Sequence, residues 1–134
     1  MAKNLHPSIL PYWERALDGQ SNVKSWNRVS DPSDYIYRIE RVHGGDFSVL
    51  VSDSYRYGLT DFFTRNDSIE QGSMIYMARP ESNYSLEVAD AAKGEMVSIG
   101  MLGEILGALN IDKHWEWESQ ARKERRKKLT NSFN

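Results

Sequence analysis

The sequence predicts a single α/β domain: a mixed, mainly parallel sheet of about four to five strands, with an antiparallel hairpin at one edge and helices on both faces. Three observations predict it. Two β-rich runs, Tyr35–Val42 and Phe47–Ser52, flank His43-Gly44-Gly45-Asp46, and adjacent glycines tolerate the positive φ of a tight turn. Two further runs, Met74–Ala78 and Met96–Ile99, are short and apolar on both faces, as strands buried between helical layers are. Segments with helical spacing separate and follow these runs, and that alternation implies crossovers and parallel pairing.

The elements follow in chain order. Pro11–Asp18 reads as a short helix, with Pro11 in the first turn and Gly19 just past the end, where each residue is best tolerated. Tyr12, Trp13, Ala16 and Leu17 share its core face. Gln20–Ser33 is polar, with several Ser and Asn and Pro32, and reads as a loop pinned by Trp26 and Val29. In the hairpin, Phe47, Val49 and Val51 point one way and Ser48, Leu50 and Ser52 the other. Asp53 and Ser54 are good N-caps, and Tyr55, Leu59, Phe62 and Phe63 then form a helical stripe over Ser54–Arg65. Alternation of Tyr55, Tyr57 and Leu59 supplies a rival strand reading. Val49 and Ile75 are expected on parallel central strands.

Tyr84–Ala92 fits a helix or a strand equally well, and Gly94 closes it. Gly100–Asn110 is the most apolar helix of the chain. Met101, Leu102, Ile105, Leu106 and Leu109 cover one side, and Gly100, Gly103 and Gly107 form a stripe beside them. Such a helix is expected to be almost wholly buried, with another backbone close to the glycines, either from Asp112–Glu118 or from a second copy. Ser119–Leu129 reads as a charged helix or frayed tail, so residues 1–120 form the domain and 121–134 a basic tail.

Composition bounds the function. With 134 residues, 40% hydrophobic and 27% charged, the chain can bury a core without staples. It has no cysteine, hence no disulfide, thiolate nucleophile or cysteine metal site. No run reaches membrane-spanning length and the first residues lack an apolar signal region, so the expected location is cytoplasmic, with no membrane partner. The net charge of −2 is unevenly spread. Arg122, Lys123, Arg125, Arg126, Lys127 and Lys128 face a single acid, Glu124, while the remaining 11 bases and 18 acids leave the body acidic. An acidic body repels phosphates, so nucleic-acid binding would reside in those six tail residues.

No phosphate-binding loop, dinucleotide fingerprint, H-E-x-x-H or G-x-S-x-G motif occurs, and no Glu-x-Lys triplet follows a carboxylate. No cofactor is implied. In an open α/β sheet, ligands bind beyond the carboxyl ends of the strands. There Asp53 and Glu81 would be an acid/base or metal-binding pair, Arg79 an anion clamp with Ser54, and Gly100 a close-approach point for phosphate. Helix capping by Asp53 and Ser54, and surface pairing of Arg79 with Glu81, explain the same residues without chemistry. Glu104, the one charge on the apolar helix, is a further catalytic candidate and needs a partner such as Arg79 if buried. Asp112, His114, Glu116 and Glu118 share a face if their segment is extended, a weak metal-ligand pattern beside tryptophans that anchor the segment to the core. Tyr35, Tyr37, Tyr55, Tyr57, Tyr76 and Tyr84 would stack bases or simply pack.

The leading expectation is a small cytosolic interaction protein, a non-catalytic subunit or accessory factor, meeting a protein partner or a second copy through the glycine-striped helix. The rivals are a nucleotide- or phosphate-processing enzyme using Asp53, Arg79, Glu81 and Glu104, and a nucleic-acid accessory protein acting through its tail. Convergence of those four residues in one pocket would favour the enzyme.

Overall fold

A computed structural model describes residues 5–131. Its centre is a five-stranded sheet of β1 (Val23–Val29), β2 (Tyr35–Arg41), β3 (Phe47–Ser52), β5 (Met74–Met77) and β7 (Ser98–Gly100), in that spatial order. The first three strands are antiparallel neighbours, and β3, β5 and β7 run parallel. Leu50 pairs with Ile75 and Val49 with Met74, so the expected parallel centre is present. Two-residue strands β4 (Arg56–Tyr57) and β6 (Asn83–Tyr84) make a second, small parallel sheet.

Alternation along the strands divides the core in two. Tyr37, Ile39, Phe47, Val49, Val51, Met74 and Tyr76 face α1 (Ile9–Asp18) and α4 (Leu102–Ala108). Ile36, Leu50, Ile75, Met77 and Ile99 face α2 (Leu59–Phe63) and α3 (Leu86–Gly94). A 3₁₀ turn at His114–Glu116 and α5 (Gln120–Asn131) complete the described chain. Among the described residues no helix is long and apolar enough to cross a membrane.

The hairpin loop shows why its glycines are placed there. Gly44 has φ +101°, and a Cβ on it would lie 2.6 Å from the Arg41 guanidinium carbon, so neither the backbone nor the space admits a side chain. Arg41 donates to the carbonyls of Gly45, Leu109 and Ile111 at 2.9, 3.2 and 2.8 Å. One buried cation thus ties the hairpin loop to the chain leaving α4.

Three expectations need correction. Gln20–Ser33 is not a loop throughout, because Val23–Val29 forms edge strand β1. A register shift between Val23 and Ser25 breaks its alternation, and its mostly exposed face admits polar residues. Trp26 nonetheless packs on the α1 side and donates to Asp18 at 2.7 Å. Ser54–Arg65 is not one helix. Tyr57 enters β4, and α2 begins only after Gly58, whose N–H donates to Asp61 at 2.9 Å. Asp53 and Ser54 therefore do not cap it. Finally, α4 is buried on one side only, with Ile105 and Ala108 buried and Gly103 exposed. The ambiguous Tyr84–Ala92 divides: Tyr84 is in β6, and Ser85 caps α3 by accepting from the Val88 N–H at 3.1 Å.

Candidate functional site

The chain leaves the adjacent parallel strands β5 and β7 toward opposite faces of the sheet. After β5 it runs into α3, whose Val88, Ala89 and Ala92 pack on one face. After β7 it runs into α4, whose Ile105 and Ala108 pack on the other. Connections that part in this way open a crevice beyond the carboxyl ends of the two strands. A groove of about 370 Å³ lies there, between α1 and the start of α4. Tyr76, Met77, Ala78, Met101 and Leu102 give it an apolar floor, with Ile9 and Tyr12 on the α1 side. Among the described residues its only charged lining residues are Arg15 and Arg79.

Arg79 is held in place. Its Nε donates to the Asp53 carbonyl, its Nη1 to the Tyr55 hydroxyl at 3.3 Å, and its guanidinium sits 4.4 Å from the Tyr55 ring centroid. Tyr76 is 4% exposed, and its ring lies 4.7 Å from that of Trp13 in α1. Burial, with a smaller contribution from Tyr12, pushes its hydroxyl up to about 12. Among the described residues that hydroxyl makes no hydrogen bond and is not a buried unpartnered atom, so it opens toward the groove that its side chain lines.

On the opposite face, at the end of β3, a smaller cavity of about 190 Å³ is lined by Asp34, Asp53, Ser54, Asp61, Arg65 and Asn66 among others. Asn66 donates to both Asp31 and Asp34 at 3.0 Å. The backbone N–H groups of Ser33 and Asp34 hold the Asp31 carboxyl below its ordinary range. This acidic wall is organised by its own hydrogen bonds.

The remaining sequence-predicted residues lie apart from both cavities. Glu81 is exposed on the turn after Pro80 and lines neither. Glu104 turns back over β7. Its Oε1 accepts from the Met101 N–H at 3.1 Å, and Tyr84 and Ser119 donate to the carboxylate at 2.8 and 2.5 Å. Its cationic neighbour is Arg122 at 3.8 Å, where the sequence suggested Arg79. Gly100 is approached by that same Glu104, since a Cβ there would lie 2.7 Å from Glu104 Cβ. Asp53, Arg79, Glu81 and Glu104 are thus four groups in different settings.

Of the six tail bases, three reach into the body. Arg122 is buried and donates to the Ile99 carbonyl and to the Tyr84 hydroxyl. Arg125 donates to the Tyr84 carbonyl at 2.9 Å, and Arg126 pairs with Asp90 and Glu118 at 2.6 Å. Lys123, Lys127 and Lys128 are exposed along α5. The face proposed for Asp112, His114, Glu116 and Glu118 does not form, because the segment coils into a 3₁₀ turn. His114 points inward and Glu118 goes to Arg126. Among the described residues no group of three His, Asp or Glu could hold a metal ion. Of the six tyrosines, Tyr37, Tyr57, Tyr76 and Tyr84 are buried, Tyr35 is half-buried, and Tyr55 is exposed against Arg79.

Sequence reading missed the groove itself. Tyr12 on its α1 wall was expected to pack on the core and Arg15 carried no expectation, and nothing in a linear pattern tells which face a connection takes after its strand. No family model matches the chain, and neither curated proteins nor solved structures show a significant similarity to it.

Proposed function

We propose that this protein is a non-catalytic binding module whose ligand seat is the groove between α1 and α4, beyond the carboxyl ends of β5 and β7. The observation that carries this reading is the parting of the two connections there, which leaves a concave apolar surface of about 370 Å³ at the position where open α/β sheets take their ligands. Exposed Tyr12 and Tyr55, with Arg15 and Arg79 beside them, supply the residue types that dominate binding energetics at recognition surfaces. The dispersal of Asp53, Glu81 and Glu104 supports binding over catalysis, since an acid/base mechanism needs its groups within hydrogen-bond reach of one substrate atom. The reading keeps the cytosolic setting expected from the sequence.

Mapping an uncharged fragment, 4-phenylbutanol, by backbone amide shifts tests the proposal. Shifts collecting on Ile9, Met77, Met101 and Leu102 are expected. Shifts collecting instead on Ser52–Ser54 and Asp61, or none at all, would overturn it.

A further inference from the structure

The groove combines three features that describe its occupant. Its floor is apolar. Its lining charges among the described residues are both positive, Arg15 on α1 and Arg79 after β5, in a chain whose net charge is −2. The hydroxyl of Tyr76, on a side chain 4% exposed, makes no hydrogen bond among the described residues. The ring is buried but the hydroxyl is not among the buried atoms left without a partner, so it opens into the groove, where a ligand that displaces water from it must offer an oxygen to accept its hydrogen bond. Arginine forks match the paired oxygens of a carboxylate or phosphate, and desolvation by the apolar floor strengthens such a contact.

We propose that the groove binds a small molecule with an apolar body and a single anionic oxygen head, a carboxylate or a phosphate monoester. The inference rests on the groove being the ligand seat. The body lies on Met77, Ala78, Met101 and Leu102, and the head meets the Arg15 and Arg79 side and accepts the Tyr76 O–H. Arg79 is already oriented by Asp53 and Tyr55, so binding need not order it. Arg15 is exposed, and closing on the head is left to that one side chain. An uncharged or cationic head would forgo these contacts, and a cation would be repelled.

The test uses the full chain and four compounds sharing one body: 4-phenylbutyrate, 4-phenylbutyl phosphate, 4-phenylbutanol and 4-phenylbutylamine. Calorimetric titration should show at least one anion binding about tenfold or more tighter than the alcohol, with the amine weakest. The tighter of the two anions identifies the head. Arg15→Glu should abolish the preference, so that neither anion binds tighter than the alcohol, and Tyr76→Phe should weaken the anions more than the alcohol. Thermal melting of each variant reports whether the fold is intact; the exposed Arg15 keeps the test decisive even if Tyr76→Phe is destabilised. If the alcohol binds in the groove as tightly as both anions, the groove is still the seat but the assignment of its ligand is wrong. If none of the four binds, both readings fall. If a short acidic peptide carrying phenylalanine outbinds both anions, the occupant is a protein segment and the small-molecule assignment fails.

Discussion

His114 shows how a single side chain can be misplaced by its neighbours in sequence and still be read physically once its partners are known. Its Nε2–H donates to the Gly72 carbonyl at 2.8 Å and its Nδ1 accepts from the Ser98 hydroxyl at 2.5 Å. Burial pulls its pKa down to about 4, opposed by the Gly72 carbonyl and aided by Arg41. Between that value and the ordinary 6.5 the unfolded chain binds the proton and the folded one does not. The stability held by the neutral ring is therefore complete above about pH 6.5 and is lost as pH falls toward 4, by up to about 3 kcal/mol. Denaturant unfolding at pH 8 and pH 5 should show the wild type losing about 2 kcal/mol more than His114→Gln, the other titrating groups being common to both. An equal loss in the two proteins would show that His114 is not held neutral. The sequence offered only a weak metal-ligand pattern here, because Asp112, His114, Glu116 and Glu118 alternate, and alternation means a shared face only in an extended chain. For Glu104 the sequence named the wrong partner, Arg79. Alone on an apolar helix it had to find partners, and it found Tyr84, Ser119 and Arg122.

The glycine stripe expected on one helix over Gly100–Asn110 separates into three different sites at the scale of the element, because Gly100 ends β7 and only Gly103 and Gly107 lie in α4. Gly100 is covered by Glu104 and Gly107 by Trp117, whose ring atom would lie 2.8 Å from a Cβ on Gly107. Cover thus comes from the segment after α4, one of the two sources expected. Gly103 has nothing within 4 Å of such a Cβ, and it alone would be open to a second copy. Gly103→Ala should then stabilise the protein by about 0.5–1 kcal/mol, through helix propensity and a less flexible unfolded chain. Gly107→Ala should destabilise it by about 1–3 kcal/mol, because Trp117 must move. Thermal unfolding of both variants checks the pair; identical shifts would show that Trp117 does not cover Gly107. The elements that could be read were those with a strong apolar signal: β3 by alternation and full burial, β5 by a continuous apolar run, and α4 by the apolar stripe of its one buried side. The one expected loop that proved a strand, β1, is an edge strand with a register shift, and there solvent, not the core, sets the sequence. The short α2 was overextended because Tyr55, Leu59, Phe62 and Phe63 fit a helix that pairing of Tyr57 with Tyr84 prevents.

Across the whole molecule, the charge division between acidic body and basic tail is where sequence and structure inform each other most. Read as a line, residues 121–134 are a separable basic segment. In three dimensions the arginines and lysines of that segment have different work: Arg122, Arg125 and Arg126 reach the body, and Lys123, Lys127 and Lys128 face solvent. Any nucleic-acid affinity should accordingly rest on the three lysines. Changing them to glutamine should reduce the salt dependence of binding to a single-stranded oligonucleotide without lowering thermal stability. If the salt dependence is unchanged by the triple substitution, the tail does not hold the phosphates.

Arg122 carries the opposite expectation. It is 7% exposed, donates to the Ile99 carbonyl and the Tyr84 hydroxyl, and stands 3.8 Å from Glu104. It therefore joins α5 to β6, β7 and α4 at once. Removing it leaves the Glu104 carboxylate in a half-buried setting without its cation and the Ile99 carbonyl without a donor, a loss of about 3–5 kcal/mol by analogy with broken buried pairs. Arg122→Met should thus be strongly destabilising, and Glu104→Gln alone less so, since the amide still accepts from Tyr84 and Ser119. Together the two changes should cost less than their sum, because the second removes the charge that the first left unpaired. Strict additivity of the two losses in denaturant unfolding would mean that Arg122 and Glu104 do not sense each other. Ending the chain at Gln120 extends the same reasoning to the element. If α5 is joined to the domain as described, that shortened protein melts well below the full chain. If it melts at the same temperature, α5 is an appendage and the boundary drawn from charge alone is the physical one.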